Sequence, residues 1–176
     1  MKVLPNIIII TGAESTGKTQ LANKLADKLN CNWVPELSRN IIEKLNNQYT
    51  YSDVEGIAKE QIKQLKYHIK QNSTLTIFDT GLIITKVWFD IVFKKCPSWL
   101  TDEINNMPKI LHLICNTDIP WVYDPVRENG GIMRNKLHSI YINELNNHKI
   151  PYGIVSGTNN IRLENSLKII RNFNLL

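Results

Sequence analysis

One match to the pattern GxxxxGK[ST], near the N-terminus, constrains the fold of this chain more than any other feature. The motif follows an apolar run, Ile7 to Ile10, and precedes leucines at helical spacing. In a strand-to-helix turn of this kind, the glycines let the backbone wrap a phosphate chain, and successive N–H groups donate to it. The sequence therefore predicts a phosphate-binding loop (P-loop).

The P-loop is expected to hold the triphosphate of ATP together with Mg²⁺. We expect Lys18 to contact the β- and γ-phosphates and Thr19 to ligate the metal. A second magnesium ligand is expected at Asp79, which ends the apolar run LTIF where a Walker B carboxylate would stand. A strand-terminal aspartate is also a common helix cap, but beside a P-loop we favour the metal role. The predicted nucleotide-binding residues are Gly12, Ala13, Glu14, Ser15, Thr16, Gly17, Lys18 and Thr19.

Short apolar runs alternate with helical patterns along the chain. The runs end at Ile10, Val34, Phe78, Cys115 and Val155. This alternation predicts the α/β class, as a three-layer P-loop NTPase fold whose parallel sheet of about five strands is flanked by helices. Ligands bind at the carboxyl ends of such strands, so the residues after the first four runs should be neighbours. Asp53 is expected to cap one of the helices.

Length and composition narrow the class of protein. The 176 residues are expected to form one domain over residues 1–176. The net charge of +5 comes from scattered lysines and arginines, so no nucleic-acid partner is expected. No apolar run reaches the ~20 residues that cross a bilayer, which predicts no membrane association. Three cysteines without a CxxC pair are typical of a reducing compartment, so the expected location is cytoplasmic. A homo-oligomer is left open.

The residues outside the P-loop distinguish among P-loop classes. Guanine recognition normally uses an NKxD motif after a late strand, and residues 116–119 read NTDI instead. Large oligomeric ATPases usually place a second acid after the Walker B aspartate, whereas Asp79 precedes Thr80 and Gly81. These departures disfavour a switch GTPase and an AAA motor. They favour a kinase.

A helical lid is predicted over residues of about 120–136. In the segment DPVRENGGIMR, from Asp124 to Arg134, the proline suits a first helical position and the paired glycines break the helix. Arg127 and Arg134 flank that break. Lid arginines stabilise charge during phosphoryl transfer, so both are candidate catalytic residues. The alternative is two surface arginines near a loop.

The acceptor is expected to bind after the second strand. Glu36 and Arg39 lie one helical turn apart there and should face the cleft. Glu36 is a candidate general base for the attacking hydroxyl, with Asp79 as the alternative catalytic carboxylate, while Arg39 would orient the acceptor. A surface ion pair between the two is the alternative. Tyr67 and Trp121 are candidates for stacking on a planar base, although aromatics at helical spacing also form cores.

Five segments together resemble the ribosylnicotinamide kinase domain of NadR-like proteins. They are GAESTGKT, VPELSR at 34–39, YTYSD at 49–53, IFDT at 77–80 and NTDIPWVYDPVR at 116–127. The resemblance implies transfer of the γ-phosphate of ATP to nicotinamide riboside, which gives nicotinamide mononucleotide for NAD synthesis. It also implies that Asp79 binds magnesium, that Arg127 belongs to the closing lid, and that Asp124 lines the acceptor side with Glu36 and Arg39.

The chain departs from the family at one position. Pro35 stands where the family commonly has an aromatic residue before the cleft glutamate, so one stacking partner for nicotinamide is missing. The resemblance places Tyr67 as a second stacking aromatic. Two alternatives stay open: a kinase for another nucleoside or small metabolite, and a nucleotide-dependent regulatory ATPase without an acceptor. The adenylyltransferase activity often fused to this kinase is not expected.

Overall fold

A parallel five-stranded sheet organises the residues described by the computed structural model, which are 4–71, 74–122 and 132–176. Its strands are β1 (Ile7–Thr11), β2 (Asn32–Val34), β3 (Thr76–Asp79), β4 (Leu111–Cys115) and β5 (Tyr152–Val155). Their order across the sheet is β2-β3-β1-β4-β5, and each neighbouring pair is parallel. The predicted sheet is confirmed, and its centre is the strand that leads into the P-loop.

Helices cover both faces of this sheet. They are α1 (Lys18–Leu29), α2 (Leu37–Lys44), α3 (Tyr51–Gln71), α4 (Leu82–Trp88), α5 (Ser98–Asn106), α6 (Ile132–Asn147) and α7 (Asn159–Asn172). A π-helical turn, Phe89–Phe93, continues α4. One core packs beneath α3, α4, α5 and α6, and a second core packs beneath α1 and α7. The three-layer α/β prediction is therefore confirmed.

Strand β1 shows why this sequence folds around the P-loop. Ile7 and Ile9 enter one core, and Ile8 and Ile10 enter the other, so all four side chains are buried. A strand that is covered on both faces needs a continuous apolar run, and β-branched residues suit its pleated backbone. The run of isoleucines thus holds the P-loop at the carboxyl edge of the sheet.

The helix cap predicted at Asp53 lies three residues earlier in the chain, at Thr50. Thr50 stands at the cap position of α3, and its hydroxyl accepts a hydrogen bond from the Asp53 N–H at 3.3 Å. The Asp53 carboxylate in turn accepts from the Thr50 N–H at 2.8 Å. This reciprocal pair is a capping box, and its hydrogen bonds lower the pKa of Asp53.

Two further expectations concern the lid and the membrane. Residues 132–136 of the predicted lid form the start of α6, while the positions around Pro125 and the paired glycines lie outside the described residues. Across the described part of the chain, the structure contains no helix with the length and apolar character needed to span a membrane.

Candidate active site

The P-loop adopts the conformation that its glycines permit. Gly12 has a φ of 150°, and a Cβ there would lie 3.0 Å from the Cys115 carbonyl oxygen. Gly17 has a φ of 75°, in the left-handed region, directly before α1 begins. Side chains therefore cannot replace hydrogen at these positions without strain. The loop closes on itself, because the Thr16 hydroxyl and the Lys18 ammonium both donate to the Ala13 carbonyl, at 2.8 and 2.9 Å.

The candidate magnesium ligands lie beside this loop. Asp79 ends β3, is 2% exposed, and is in register with Ile10, while Thr19 is the second residue of α1. The charges of Lys18 and Asp79 both act on the Cys115 thiol, whose pKa is raised to about 11 mainly by burial. A carboxylate and a hydroxyl next to phosphate oxygens are hard oxygen ligands of the kind that Mg²⁺ prefers. The residues present therefore fit a magnesium ion that binds with the nucleotide.

Thr80, directly after Asp79, has an unusual backbone conformation. Its φ is 75°, and its N–H donates to the Ile10 carbonyl at 3.1 Å. A β-branched residue in the left-handed region costs on the order of 1–3 kcal/mol, a form of strain that is common at functional sites. Thr80 also lines the cavity next to the P-loop.

That cavity has a volume of about 320 Å³ and opens directly onto the P-loop. Its wall is built by the P-loop, the start of α2, the connection between α2 and α3, helix α4 with its π-helical turn, and helix α6. The predicted residues that line it are Gly12, Glu14, Lys18, Glu36 and Arg39. The structure thus brings the ends of β1 and β2 together, as predicted, and places Glu14 at the cavity as well as in the P-loop. We call this space the acceptor cavity.

The polar wall of the acceptor cavity lies at the start of α2. Glu36 occupies the cap position of this helix without capping it, and its carboxylate accepts a hydrogen bond from the Ser38 hydroxyl at 2.8 Å. Arg39 donates to the Glu43 carboxylate at 3.0 Å. This places one carboxylate and one guanidinium on the acceptor side, with Lys18 on the phosphate side.

The apolar wall combines aliphatic side chains from α2, α4, the π-helical turn and α6 with three aromatic side chains. Trp88 from α4, Tyr49 from the α2–α3 connection and Tyr141 from α6 line the acceptor cavity. The Tyr49 and Trp88 rings lie edge to face with centroids 4.9 Å apart. Sequence reasoning missed the roles of these three residues. The segment YTYSD, quoted for the family resemblance, contains Tyr49, and this was the available signal.

Two predicted stacking residues have different surroundings. Tyr67 is 60% exposed and contacts His68, and it is not among the residues that line the acceptor cavity. It follows buried Leu65 by two positions, which is about 200° around α3, so it faces away from the core. The structure thus corrects the placement of Tyr67. Trp121 is also not among the residues that line the acceptor cavity. It lies near the P-loop, since the carbonyl of the next residue, Val122, accepts a hydrogen bond from Ser15 at 2.7 Å.

Arg134, predicted as a catalytic lid residue, is held against the P-loop backbone. Its guanidinium donates to the Ser15 carbonyl at 3.1 Å and to the Ile119 carbonyl at 3.0 Å, and the residue is 6% exposed. Burial lowers the pKa of Arg134. In this arrangement Arg134 contacts the carbonyl side of the loop. Asp124 and Arg127 lie outside the described residues, so their roles stay predictions.

A second buried arginine, Arg162 in α7, was not predicted. It is 5% exposed and donates to the Thr16 carbonyl at 2.9 Å. No motif marks it, because its partner is 146 positions away in the sequence.

Comparisons with known proteins agree with this architecture. The chain is 23% identical over 150 residues to the trifunctional NAD biosynthesis/regulator protein NadR of Escherichia coli. The aligned region covers 82% of this chain and 37% of NadR. The chain thus spans little more than a third of that relative's length. Crystal structures of NadR in complex with NAD and AMP-PNP and with NR match with TM-scores of 0.74 and 0.75. Each is 18% identical and covers 97% of this chain and 50% of the other.

A nucleoside kinase is also similar in fold. Deoxyadenosine kinase from M. mycoides matches with a TM-score of 0.61 at 14% identity, over 97% of this chain and 100% of the other. At these identities the structural matches establish the P-loop kinase fold. Residues 7–162 match the AAA domain family AAA_28, and the chain belongs to that family.

Proposed function

We propose that this chain is an ATP-dependent kinase that phosphorylates a nucleoside, with nicotinamide riboside as the favoured acceptor. The observation that carries the proposal is the acceptor cavity, which joins Lys18 of the P-loop to Glu36 and to an aromatic wall. A volume of about 320 Å³ suits a small molecule. A regulatory ATPase without an acceptor needs no second small-molecule cavity beside its phosphate-binding loop.

The aromatic wall favours a planar base. Trp88 and Tyr49 each present an electron-rich ring, and Tyr141 adds a third. A pyridinium ring carries a positive charge, so contact with aromatic faces adds a cation–π attraction to ordinary stacking. The cavity is lined by the charged side chains of Glu14, Glu36, Lys18 and Arg39, so the aromatic rings carry the preference for a cationic base. Nicotinamide riboside combines such a ring with a ribose hydroxyl.

The chain's own residues account for the transfer step. Glu36 accepts the proton of the attacking hydroxyl, because it lines the acceptor cavity and its orientation is fixed by Ser38. Arg39 orients the acceptor. Lys18 exchanges its contact with the Ala13 carbonyl for the β- and γ-phosphates. Asp79 and Thr19 are the residues that would hold magnesium, which when bound neutralises charge on the phosphates.

The NadR matches support this choice of acceptor. One of the matched crystal structures contains NR and another contains the ATP analogue AMP-PNP. A place in NAD synthesis, a cytoplasmic location and a single domain over residues 1–176 are parts of the same proposal. The predicted lid arginine, Arg127, belongs to it too, as the residue that closes over the phosphates.

A second candidate keeps the kinase and changes the nucleoside. Pro35 has no aromatic ring to stack on a base, and it is exposed and not among the residues that line the acceptor cavity. Loss of one stacking face removes about 1 kcal/mol of selectivity for a pyridinium ring. The similarity in fold to deoxyadenosine kinase supports a purine or pyrimidine nucleoside in that case.

Product analysis tests the proposal. With ATP and magnesium, mass spectrometry of the reaction should show nicotinamide riboside gaining one phosphate. The same riboside without its primary hydroxyl should bind and stay unmodified. Lys18→Ala should give no product. If nicotinamide riboside stayed unchanged while a purine or pyrimidine nucleoside was phosphorylated, the second candidate function would be correct.

A further inference from the structure

Arg162 joins the P-loop to two other loops at the same edge of the sheet. Its Nη1 donates to the Thr16 carbonyl at 2.9 Å, and its Nε donates to the Gly157 carbonyl at 2.7 Å. Its Nη2 donates to the Asn116 carbonyl at 3.4 Å and also to the Asp118 carboxylate. A single guanidinium therefore contacts the P-loop, the loop after β4 and the loop after β5.

The carboxylate of Asp118 completes this junction. It forms an ion pair with Arg162, and it also accepts a hydrogen bond from the Gly157 N–H at 2.6 Å. The two loops are joined a second time through the Asn116 amide, which donates to the Ser156 hydroxyl at 3.0 Å. The guanidinium is nine-tenths buried, and hydrogen bonds to a buried charge are strong and geometrically specific.

The contact with Thr16 fixes a peptide plane in the P-loop. In a trans peptide, the carbonyl and the following N–H point in opposite directions. Because the Thr16 carbonyl points at Arg162, the N–H of Gly17 points away from Arg162. A P-loop binds phosphate through such N–H groups, so the orientation of this peptide determines how well the loop holds a nucleotide.

We propose that Arg162 is a positioning residue that presets the Thr16–Gly17 peptide for phosphate and ties it to both neighbouring loops. The proposal rests on the proposed nucleotide-dependent function and is independent of the acceptor. Arg162 and Asp118 set the affinity for a nucleoside diphosphate or triphosphate. They leave the affinity for the acceptor unchanged, because they are not among the residues that line the acceptor cavity.

Calorimetric titration with MgADP, without any acceptor, tests this role. Arg162→Lys keeps the charge but cannot serve four acceptors in one plane, so the dissociation constant should rise about tenfold or more. Asp118→Asn, in a more exposed position, should raise it by about three- to fivefold. Arg171→Lys is the matched control, since Arg171 is an exposed residue of the same helix and should bind MgADP like the wild type.

Kinetics and melting separate positioning from general stability. Both test variants should raise KM for ATP and leave KM for the acceptor unchanged. A lower melting temperature with an unchanged MgADP affinity would overturn the proposal, because Arg162 would then act only on stability. Unchanged affinity in a folded Asp118→Asn variant would overturn the part assigned to Asp118. Absence of MgADP binding in the wild type would instead reject the proposed nucleotide-dependent function itself.

Discussion

The indole N–H of Trp88 donates to the hydroxyl of Tyr49 at 3.2 Å, and the two rings meet edge to face with centroids 4.9 Å apart. Trp88 comes from α4 and Tyr49 from the α2–α3 connection. Each ring therefore fixes the orientation of the other before any acceptor binds. Preorganised rings lose little entropy on binding, so this pair is suited to select a planar base.

Replacement of Trp88 tests whether the aromatic wall of the acceptor cavity binds the acceptor. Trp88→Leu keeps apolar bulk but removes the π face, so KM for the acceptor should rise about five- to tenfold while KM for ATP is unchanged. Trp99→Leu is the matched control, because Trp99 is also half-buried and donates its N–H to a side chain, Glu55, away from the acceptor cavity. If the two variants had equal KM values for the acceptor, Trp88 would have no part in acceptor binding.

Glu36 is predicted to act as the general base. Glu36→Gln retains the shape and the contact with Ser38 but cannot take a proton, so kcat should fall by about 10²- to 10⁴-fold. The affinity for MgADP should stay unchanged, because Glu36 acts on the acceptor. Glu60→Gln is the control, because Glu60 pairs with Lys63 on α3 and does not line the acceptor cavity, and it should retain nearly full kcat. If the Glu36→Gln variant had a normal kcat, a group other than Glu36 would be the general base.

The parts of the fold that sequence reasoning predicted are those with short-range signals. The run Ile7 to Ile10 and the glycine pattern that follows it are local, and they identified the central strand and the P-loop. The acceptor cavity has no such signal. Tyr49, Trp88 and Tyr141 come from three distant segments, and aromatics in helices are also ordinary core residues.

Other errors have equally specific causes. Asp53 was chosen as a helix cap although Thr50, three residues earlier, forms the capping box with it. Tyr67 is predicted as a stacking residue from its aromatic ring and from the family resemblance, whereas its place on α3 relative to buried Leu65 points it to solvent. Arg162 could not be found, because its role depends on a contact across 146 residues.

Arg134 should behave as a residue that orients the P-loop. Arg134→Lys is expected to weaken MgADP binding by about five- to tenfold, because the Ser15 carbonyl loses a planar donor. A transition-state arginine would instead lower kcat by about 10³-fold and leave ADP affinity intact. Lys136→Met, at an exposed position of α6, is the control. If Arg134→Lys lowered kcat and left the affinity for MgADP unchanged, Arg134 would have the catalytic lid role predicted from the sequence.

His112 should make the protein less stable at low pH. It is buried in β4 with its Nδ1 2.8 Å from the Thr11 hydroxyl, and burial lowers its pKa from 6.5 to about 3. Between these values the unfolded chain binds a proton that the folded chain does not, so stability falls as pH falls. The loss is up to about 1.4 kcal/mol per pH unit, and it is absent above pH 6.5.

Urea unfolding at several pH values between 7 and 4.5 measures this effect. His112→Asn removes the titrating ring, so the free energy of unfolding should fall less steeply with decreasing pH than in the wild type. The other histidines with a lowered pKa, His68, His138 and His148, contribute equally to both proteins. Parallel curves for the wild type and the variant would show that His112 is protonated in the folded state.

The central claim is transfer of phosphate to a nucleoside held in the acceptor cavity. A coupled ADP-release assay with ATP and magnesium tests it most directly, across nicotinamide riboside, nicotinic acid riboside, common nucleosides and a blank without acceptor. We predict rapid release with nicotinamide riboside, little in the blank, and none in the Lys18→Ala variant with any acceptor. Equal release in the blank and with every acceptor would contradict the account, because the protein would then hydrolyse ATP without using the cavity.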